Sequence, residues 1–147
     1  MDNTPALNHQ TAQLPYIIEP TSGEMSLKQW MMGCNINLES LLLQHKAILF
    51  RGFTDCDNFD SDASLFLRNT LNYNYRSTPR KDLGKKVYTA TEYPNKLTIA
   101  QHCEEAYQLD RPMKLVYRCV QPALQDGQPP LTDMLTVTQQ IDSEVRA

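Results

Sequence analysis

Apolar positions in the first half of the chain recur mainly at helical spacing. Ser26 can cap the N-terminus of a helix over 27–32. Either Asn35 or Asn37 can cap a second helix, whose spaced positions are Leu38, Leu41, Leu42 and His45. A third helix is predicted over 58–71 from the spacing of Phe59, Ala63, Phe66 and Leu67.

Short apolar and β-branched runs predict strands between and after these helices. The run 47–53 closes with a glycine and suits a buried strand that enters a turn. Three later segments, 87–91, 97–102 and 113–120, are rich in β-branched and aromatic residues and are separated by turn residues. Segment 113–120 alternates for much of its length, as a half-buried strand does.

The two ends of the chain differ in character. Residues 1–13 are polar and predict a flexible N-terminal segment, whereas 14–147 has the length of part or all of one domain. The proline-bounded segment 14–20 indicates short extended structure. A last helix is predicted over 136–145, and because the chain stops there without a glycine cap or a closing strand, we expect it to be a fragment.

Composition is that of an ordinary globular protein. The chain has 147 residues, 41% hydrophobic and 21% charged, with a formal net charge of -3. Basic residues cluster only over 76–86, which indicates a solvated loop, so nucleic acid is not an expected partner. The chain shows neither a signal peptide nor a membrane span, which predicts a cytoplasmic protein. Four cysteines without a C-x-x-C pair favour reduced thiols over a disulfide framework or a zinc site.

The tripeptide His102-Cys103-Glu104 is the strongest candidate for chemistry. Alternate side chains of an extended strand share a face, so His102 and Glu104 would point together and Cys103 away. An imidazole and a carboxylate are two of the three ligands of the 2-His-1-carboxylate triad that binds non-haem Fe(II). A second histidine ligand is not evident, because His45 falls at a helix C-terminus and His9 in the N-terminal segment.

Four short blocks follow one another in a recognisable order. They are Leu-Phe-Arg-Gly-Phe at 49–53, Arg-Ser-Thr-Pro-Arg at 76–80, Tyr-Thr-Ala-Thr-Glu-Tyr-Pro at 88–94 and His-Cys-Glu-Glu-Ala-Tyr at 102–107. Together they resemble the taurine dioxygenase-like (TauD/TfdA) family of Fe(II)/2-oxoglutarate-dependent oxygenases. Within that family, the chain is similar to the branch associated with peptide and secondary-metabolite biosynthesis.

This resemblance implies a fold, a cofactor set and a reaction. The expected fold is mainly β with flanking helices, a truncated part of a double-stranded β-helix (a jelly roll of the clavaminate synthase-like kind). His102 and Glu104 would bind Fe(II) on a core strand, with 2-oxoglutarate and O2 as co-substrates. Because related halogenases carry a small residue at the carboxylate position, Glu104 favours hydroxylation or another oxidation. The expected substrate is a small molecule or a carrier-bound amino acid, and the side chains expected to face it are Tyr88, Thr91, Glu92 and Tyr107.

Several positions depart from the family pattern. Pro129 stands where a threonine usually contacts 2-oxoglutarate, and Ala106 where serine is common. The distal iron histidine and the arginine that pairs with 2-oxoglutarate belong to the family's second half. The sequence therefore leaves two hypotheses: the N-terminal part of a dioxygenase, completed by a complementary C-terminal half or by self-association, or a catalytically inactive remnant or interaction module with open sheet edges.

Overall fold

The computed structural model describes two compact units, one reaching Cys56 and resuming at Asp126, the other spanning Asp57–Gln125. The described residues are 14–21, 23–54, 56, 58–73, 79–94 and 96–146. The predicted flexible segment 1–13 lies outside them. No helix in the described part of the chain has the length and apolarity needed to cross a membrane.

The first unit is built around a parallel strand pair joined by two helices. Its elements up to Cys56 are β1 (Tyr16–Ile18), α1 (Leu27–Gly33), α2 (Leu38–His45) and β2 (Ile48–Phe50). Tyr16 lies opposite Ile48 in the register, and the pairing continues past β2, where the Arg51 amide donates to the Ile18 carbonyl at 3.0 Å. Parallel strands need such a long crossover because a tight turn reverses the chain direction and so joins only antiparallel strands.

The helices of this unit begin at the residues that the sequence predicts. The Ser26 hydroxyl accepts a hydrogen bond from the Gln29 amide at 3.1 Å, and the Gln29 side chain accepts one from the Ser26 amide at 3.2 Å. This reciprocal pair is a capping box. Of the two candidate caps for α2, Asn37 is the one used, since its side chain accepts from the Ser40 amide at 3.1 Å.

The core of the first unit is small and aromatic. Tyr16, Ile18 and Trp30 are each at most 5% exposed, and partly buried residues of both helices and β2 surround them. The Trp30 ring meets the rings of Phe50 and Phe53 edge-on, with centroids 5.7 and 5.8 Å apart. Edge-to-face contacts of this kind add to the free energy of burying the rings.

The second unit contains α3 (Phe59–Ser64), β3 (Asp82–Gly84) and β4 (Val87–Tyr88). The predicted third helix therefore ends at Ser64 and does not reach 71. Residues 68–70 are all exposed and include Asn69 and Thr70, whose side chains compete with the helical backbone for hydrogen bonds. No buried contact compensates for that competition.

The expected strands after residue 90 are not formed. Segments 97–102 and 113–120 contain no strand, the predicted 87–91 strand shortens to β4, and the described residues hold more helix than strand. A strand needs a neighbouring strand that shares its hydrogen bonds, and the sheets of the described residues pair only β1 with β2 and β3 with β4. Segment 113–120 nevertheless keeps a two-residue period of burial, with Lys114, Val116 and Arg118 half-buried and the residues between them exposed.

The predicted terminal helix is divided in two. Its parts are α4 (Met134–Gln140) and α5 (Ser143–Arg146), and between them Ile141 has an extended backbone with ψ 138°. Asp133 caps α4 by accepting from the Leu135 amide at 2.9 Å. Neither helix contains a buried residue, so no buried side chain holds the two parts in one continuous helix.

Candidate metal centre

The predicted pair His102 and Glu104 comes together in the second unit. Glu104 opens a turn over 104–107 in which Glu105 has a positive φ of 53°, so the pair lies at a turn and not on a core strand. The side chains still meet, with His102 Nε2 3.4 Å from Glu104 Oε2. The expected strand is therefore wrong, and a turn brings the two side chains together instead.

The hydrogen bonding of His102 leaves its outer nitrogen available for a metal. Nδ1 lies 2.8 Å from the Ala100 carbonyl oxygen, which can only accept, so we assign the proton of the neutral ring to Nδ1. The lone pair of Nε2 then faces Glu104. A backbone carbonyl on the second ring nitrogen is a common arrangement for metal-binding histidines.

The separation of the two donor atoms suits one shared ion. Zinc, as a reference metal, holds imidazole nitrogen and carboxylate oxygen at about 2.0–2.2 Å, so two donors on one ion lie no more than about 4 Å apart. The observed 3.4 Å falls within that limit. No group of three or more His, Cys, Asp or Glu side chains gathers as a metal site among the described residues.

Glu104 also forms an ion pair with Arg80, which sequence reasoning missed. A terminal guanidinium nitrogen of Arg80 donates to Glu104 Oε1, and the two side chains are each 17% exposed. The guanidinium carbon lies 4.8 Å from the centre of the Tyr73 ring, a cation–π contact. Arg80 Nε is buried and makes no hydrogen bond with the described residues.

Nearby charges act on Arg80 and on Tyr117. Burial works to lower the pKa of Arg80, but the hydrogen bond and the charge of Glu104 outweigh it, so the net pKa is raised. The side chain of Tyr117 is 71% exposed, yet partial desolvation and then the charge of Glu104 raise its pKa, while Arg80 acts in the opposite direction. The site therefore keeps a positive guanidinium and a neutral phenol next to the carboxylate at neutral pH.

The shift of Tyr117 predicts a change at alkaline pH. Its folded-state pKa is above the unfolded value of about 10, so its contribution to stability is complete below that pH and is lost as the pH rises through the folded pKa. The measurement is the tyrosinate absorbance of the unaltered chain minus that of Tyr117→Phe, followed against pH. We expect the midpoint of this difference to lie above pH 10 and to move to lower pH in Glu104→Gln. A midpoint at or below pH 10 in the unaltered chain would contradict the assignment.

The four predicted substrate-side residues have different surroundings in the structure. The Tyr88 hydroxyl accepts from the Tyr73 amide at 3.1 Å and the two rings lie 5.7 Å apart, which ties Tyr88 to the support of Arg80. Glu92 instead pairs with Lys81 at 3.1 Å on the exposed surface. Thr91 is half-buried and Tyr107 is 59% exposed.

The remaining singled-out residues lie elsewhere. His45 ends α2 and contacts the ring of Tyr16, with ring centroids 4.4 Å apart, and His9 lies outside the described residues.

The basic cluster is only partly a solvated loop. Lys85 and Lys86 form an exposed hairpin turn, as that interpretation predicts, but the side chain of Arg80 is only 17% exposed. Arg80 and Glu104 are 24 residues apart, so no spacing rule predicts that they pair. The one sequence signal is that both belong to the four family blocks.

An imidazole and a carboxylate at this separation define a candidate mononuclear metal centre. The family model described as "Taurine catabolism dioxygenase TauD, TfdA family" matches residues 18–147. The chain belongs to this family, whose members have a jelly-roll fold and oxygenase chemistry.

Two curated relatives agree with the family assignment. The chain is 38% identical over 112 residues to the dapdiamide synthesis protein DdaC of Enterobacter agglomerans, covering 75% of this chain and 34% of that protein. It is 29% identical over 122 residues to a clavaminate synthase-like protein of Arabidopsis thaliana, covering 76% and 37%. The chain thus spans about a third of the length of these relatives. No solved structure matches it.

Proposed function

We propose that this chain contributes His102 and Glu104 as two protein ligands to the iron of an Fe(II)/2-oxoglutarate-dependent dioxygenase. The observation that carries the proposal is the 3.4 Å approach of His102 Nε2 to Glu104 Oε2, with Nδ1 occupied by the Ala100 carbonyl. Membership of the TauD/TfdA family supports it. When bound, iron with 2-oxoglutarate and O2 supplies the oxidising power for the reaction.

Each residue of the pair has a separate task in this proposal. The Ala100 carbonyl fixes the tautomer and orientation of His102, which keeps the Nε2 lone pair toward the metal position. Glu104 supplies a negative oxygen, and Arg80 balances the other oxygen of the same carboxylate. A third ligand and a partner for the 2-oxoglutarate carboxylate would come from a complementary C-terminal segment or from self-association.

The burial pattern of 113–120 supports a partial double-stranded β-helix. Successive side chains of an extended strand point to opposite faces, so one face of a core strand is buried and the other is covered by a neighbouring layer. The alternation of half-buried and exposed residues over 113–118 follows this pattern. The face that includes Met113 and Leu115, which are 93% and 47% exposed, would then be a face that a complete jelly roll covers.

The proposed reaction is oxidation, most simply hydroxylation, of a small molecule or a carrier-bound amino acid in secondary metabolism. Its support is the similarity to a dapdiamide synthesis protein, together with the carboxylate of Glu104 at the position that halogenases leave small. Of the four substrate-side candidates, Tyr88 is the one whose described contacts lead to the site, because it contacts Tyr73 and the Tyr73 ring contacts Arg80.

A second candidate function, an inactive remnant or interaction module, is favoured by Pro129. This residue is exposed and stands where the family's threonine would offer a hydroxyl to 2-oxoglutarate. Proline has neither a hydroxyl nor a backbone N–H to replace that hydrogen bond. Loss of a charge-assisted hydrogen bond to a carboxylate weakens binding by about 1.5–3 kcal/mol.

The test is an anaerobic titration of the purified chain with Fe(II) and 2-oxoglutarate, followed through the visible charge-transfer band of the chelate. We expect a band for the unaltered chain and its loss in His102→Ala. The matched control is His45→Gln, which changes a histidine that stacks on Tyr16 in the first unit and should keep the band. If the folded chain gives no band, the remnant hypothesis replaces the dioxygenase.

A further inference from the structure

Arg80 is held by more contacts than the single ion pair with Glu104. Its guanidinium contacts the Tyr73 ring on one side and Glu104 on another, and the side chain is 17% exposed. Tyr73 is itself held, because its amide donates to the Tyr88 hydroxyl and the two rings are in contact. The result is a supported chain of contacts from Tyr88 through Tyr73 and Arg80 to Glu104.

We infer that Arg80 is a positioning residue that occupies Glu104 Oε1 and so presents Oε2 alone to the metal. This inference rests on the proposed function and names a residue that acts through Glu104. Oε1 accepts from Arg80, while Oε2 lies 3.4 Å from His102 Nε2. The carboxylate is therefore divided between two partners, one oxygen for each.

The consequence for the metal is a one-oxygen carboxylate ligand. A free carboxylate can rotate, or it can bind an ion through both oxygens and take an additional coordination position. The chemistry of a 2-His-1-carboxylate site depends on the positions that remain open. By holding Oε1, Arg80 prevents both alternatives and leaves those positions for the co-substrates.

Two effects of Arg80 on metal affinity oppose each other, and they predict different results. The positive charge alone repels a cation, so a purely electrostatic role means that its removal tightens metal binding. A positioning role means that its removal weakens binding, because the carboxylate is no longer oriented. Loss of partners that orient metal ligands commonly reduces metal affinity by about 10–100-fold.

The experiment is a titration of the full chain with Co(II), followed by its visible absorption, which reports both affinity and coordination number. We expect Arg80→Met to weaken Co(II) binding by about 10-fold or more and to alter the spectrum of the bound ion. Arg80→Lys keeps the charge without the planar fork and should fall between Arg80→Met and the unaltered chain. The control Lys85→Met removes an exposed charge paired with Asp60 and should change neither quantity.

Tyr73→Leu keeps the charge and the ion pair but removes the ring beneath the guanidinium, and we expect a few-fold loss of affinity with a native circular dichroism spectrum. This variant and Arg80→Lys carry the test if Arg80→Met does not fold. Unchanged or tighter Co(II) binding with an unchanged spectrum in the folded Arg80 variants overturns the inference while the proposed function stands. Absence of Co(II) binding by the unaltered chain, or binding that His102→Ala does not affect, overturns both.

Discussion

Trp30→Ala is expected to destabilise the first unit by about 3–5 kcal/mol, the usual cost of removing a large buried aromatic side chain. Trp30 is 4% exposed and contacts the rings of both Phe50 and Phe53, so the cavity would open inside the aromatic cluster. Since folded domains are stable by only about 5–15 kcal/mol, most of the margin of this small core would be lost. Urea unfolding followed by far-ultraviolet circular dichroism measures the change.

Two variants calibrate that measurement. Trp30→Phe keeps a ring in the cluster and removes the buried indole N–H, which has no hydrogen-bond partner among the described residues, so we expect a smaller loss. Met32→Ala, on the same helix but 81% exposed, should change the stability by less than about 0.5 kcal/mol. A Trp30→Ala variant as stable as Met32→Ala would show that the cluster does not hold the unit together.

The start of the chain was predictable because local rules and tertiary contacts agree there. The capping box at Ser26 and the cap at Asn37 satisfy the first amides of helices whose apolar positions face the same core. The apolar run 47–53 then has β1 as a partner, so it forms a strand. In this unit each local preference is consistent with the packing that completes it.

The second half shows what periodicity cannot supply. Segment 113–120 has the predicted alternation of burial, yet strand pairing depends on a neighbour far away in the sequence. The hairpin of β3 and β4 was missed for a different reason. Its turn residues Lys85 and Lys86 have φ of 52° and 63°, conformations that usually select Asn or Gly, so no turn signal marked the site.

The candidate site also has one part that the sequence predicts and one part that it does not. His102 and Glu104 were predictable because two positions along one short segment determine their shared side. The role of Arg80 depends on a loop that returns to the site and on the Tyr73 ring beneath it, neither of which a spacing rule describes. The basic cluster over 76–86 favoured a solvated loop, because a run of like charges is more often a solvated surface than part of a buried ion pair.

The second large effect is expected from Glu104→Leu, which should destabilise the second unit by about 3 kcal/mol. That figure is the lower end of the cost of breaking a buried ion pair, because both side chains retain 17% exposure. The cost arises mainly from Arg80, whose guanidinium would remain largely buried without its anionic partner. Its Nε already lacks a hydrogen bond to the described residues, so little compensation is available.

A double-mutant cycle separates this cost from a loss of packing. Arg80→Met combined with Glu104→Leu removes both charges, and we expect the double variant to recover most of the stability that Glu104→Leu loses, since paired removal of a buried ion pair is often near neutral. Urea midpoints of the four proteins provide the coupling energy. If the two single losses simply add, Arg80 and Glu104 do not stabilise each other, and the contact that orients the proposed iron ligand is absent in solution.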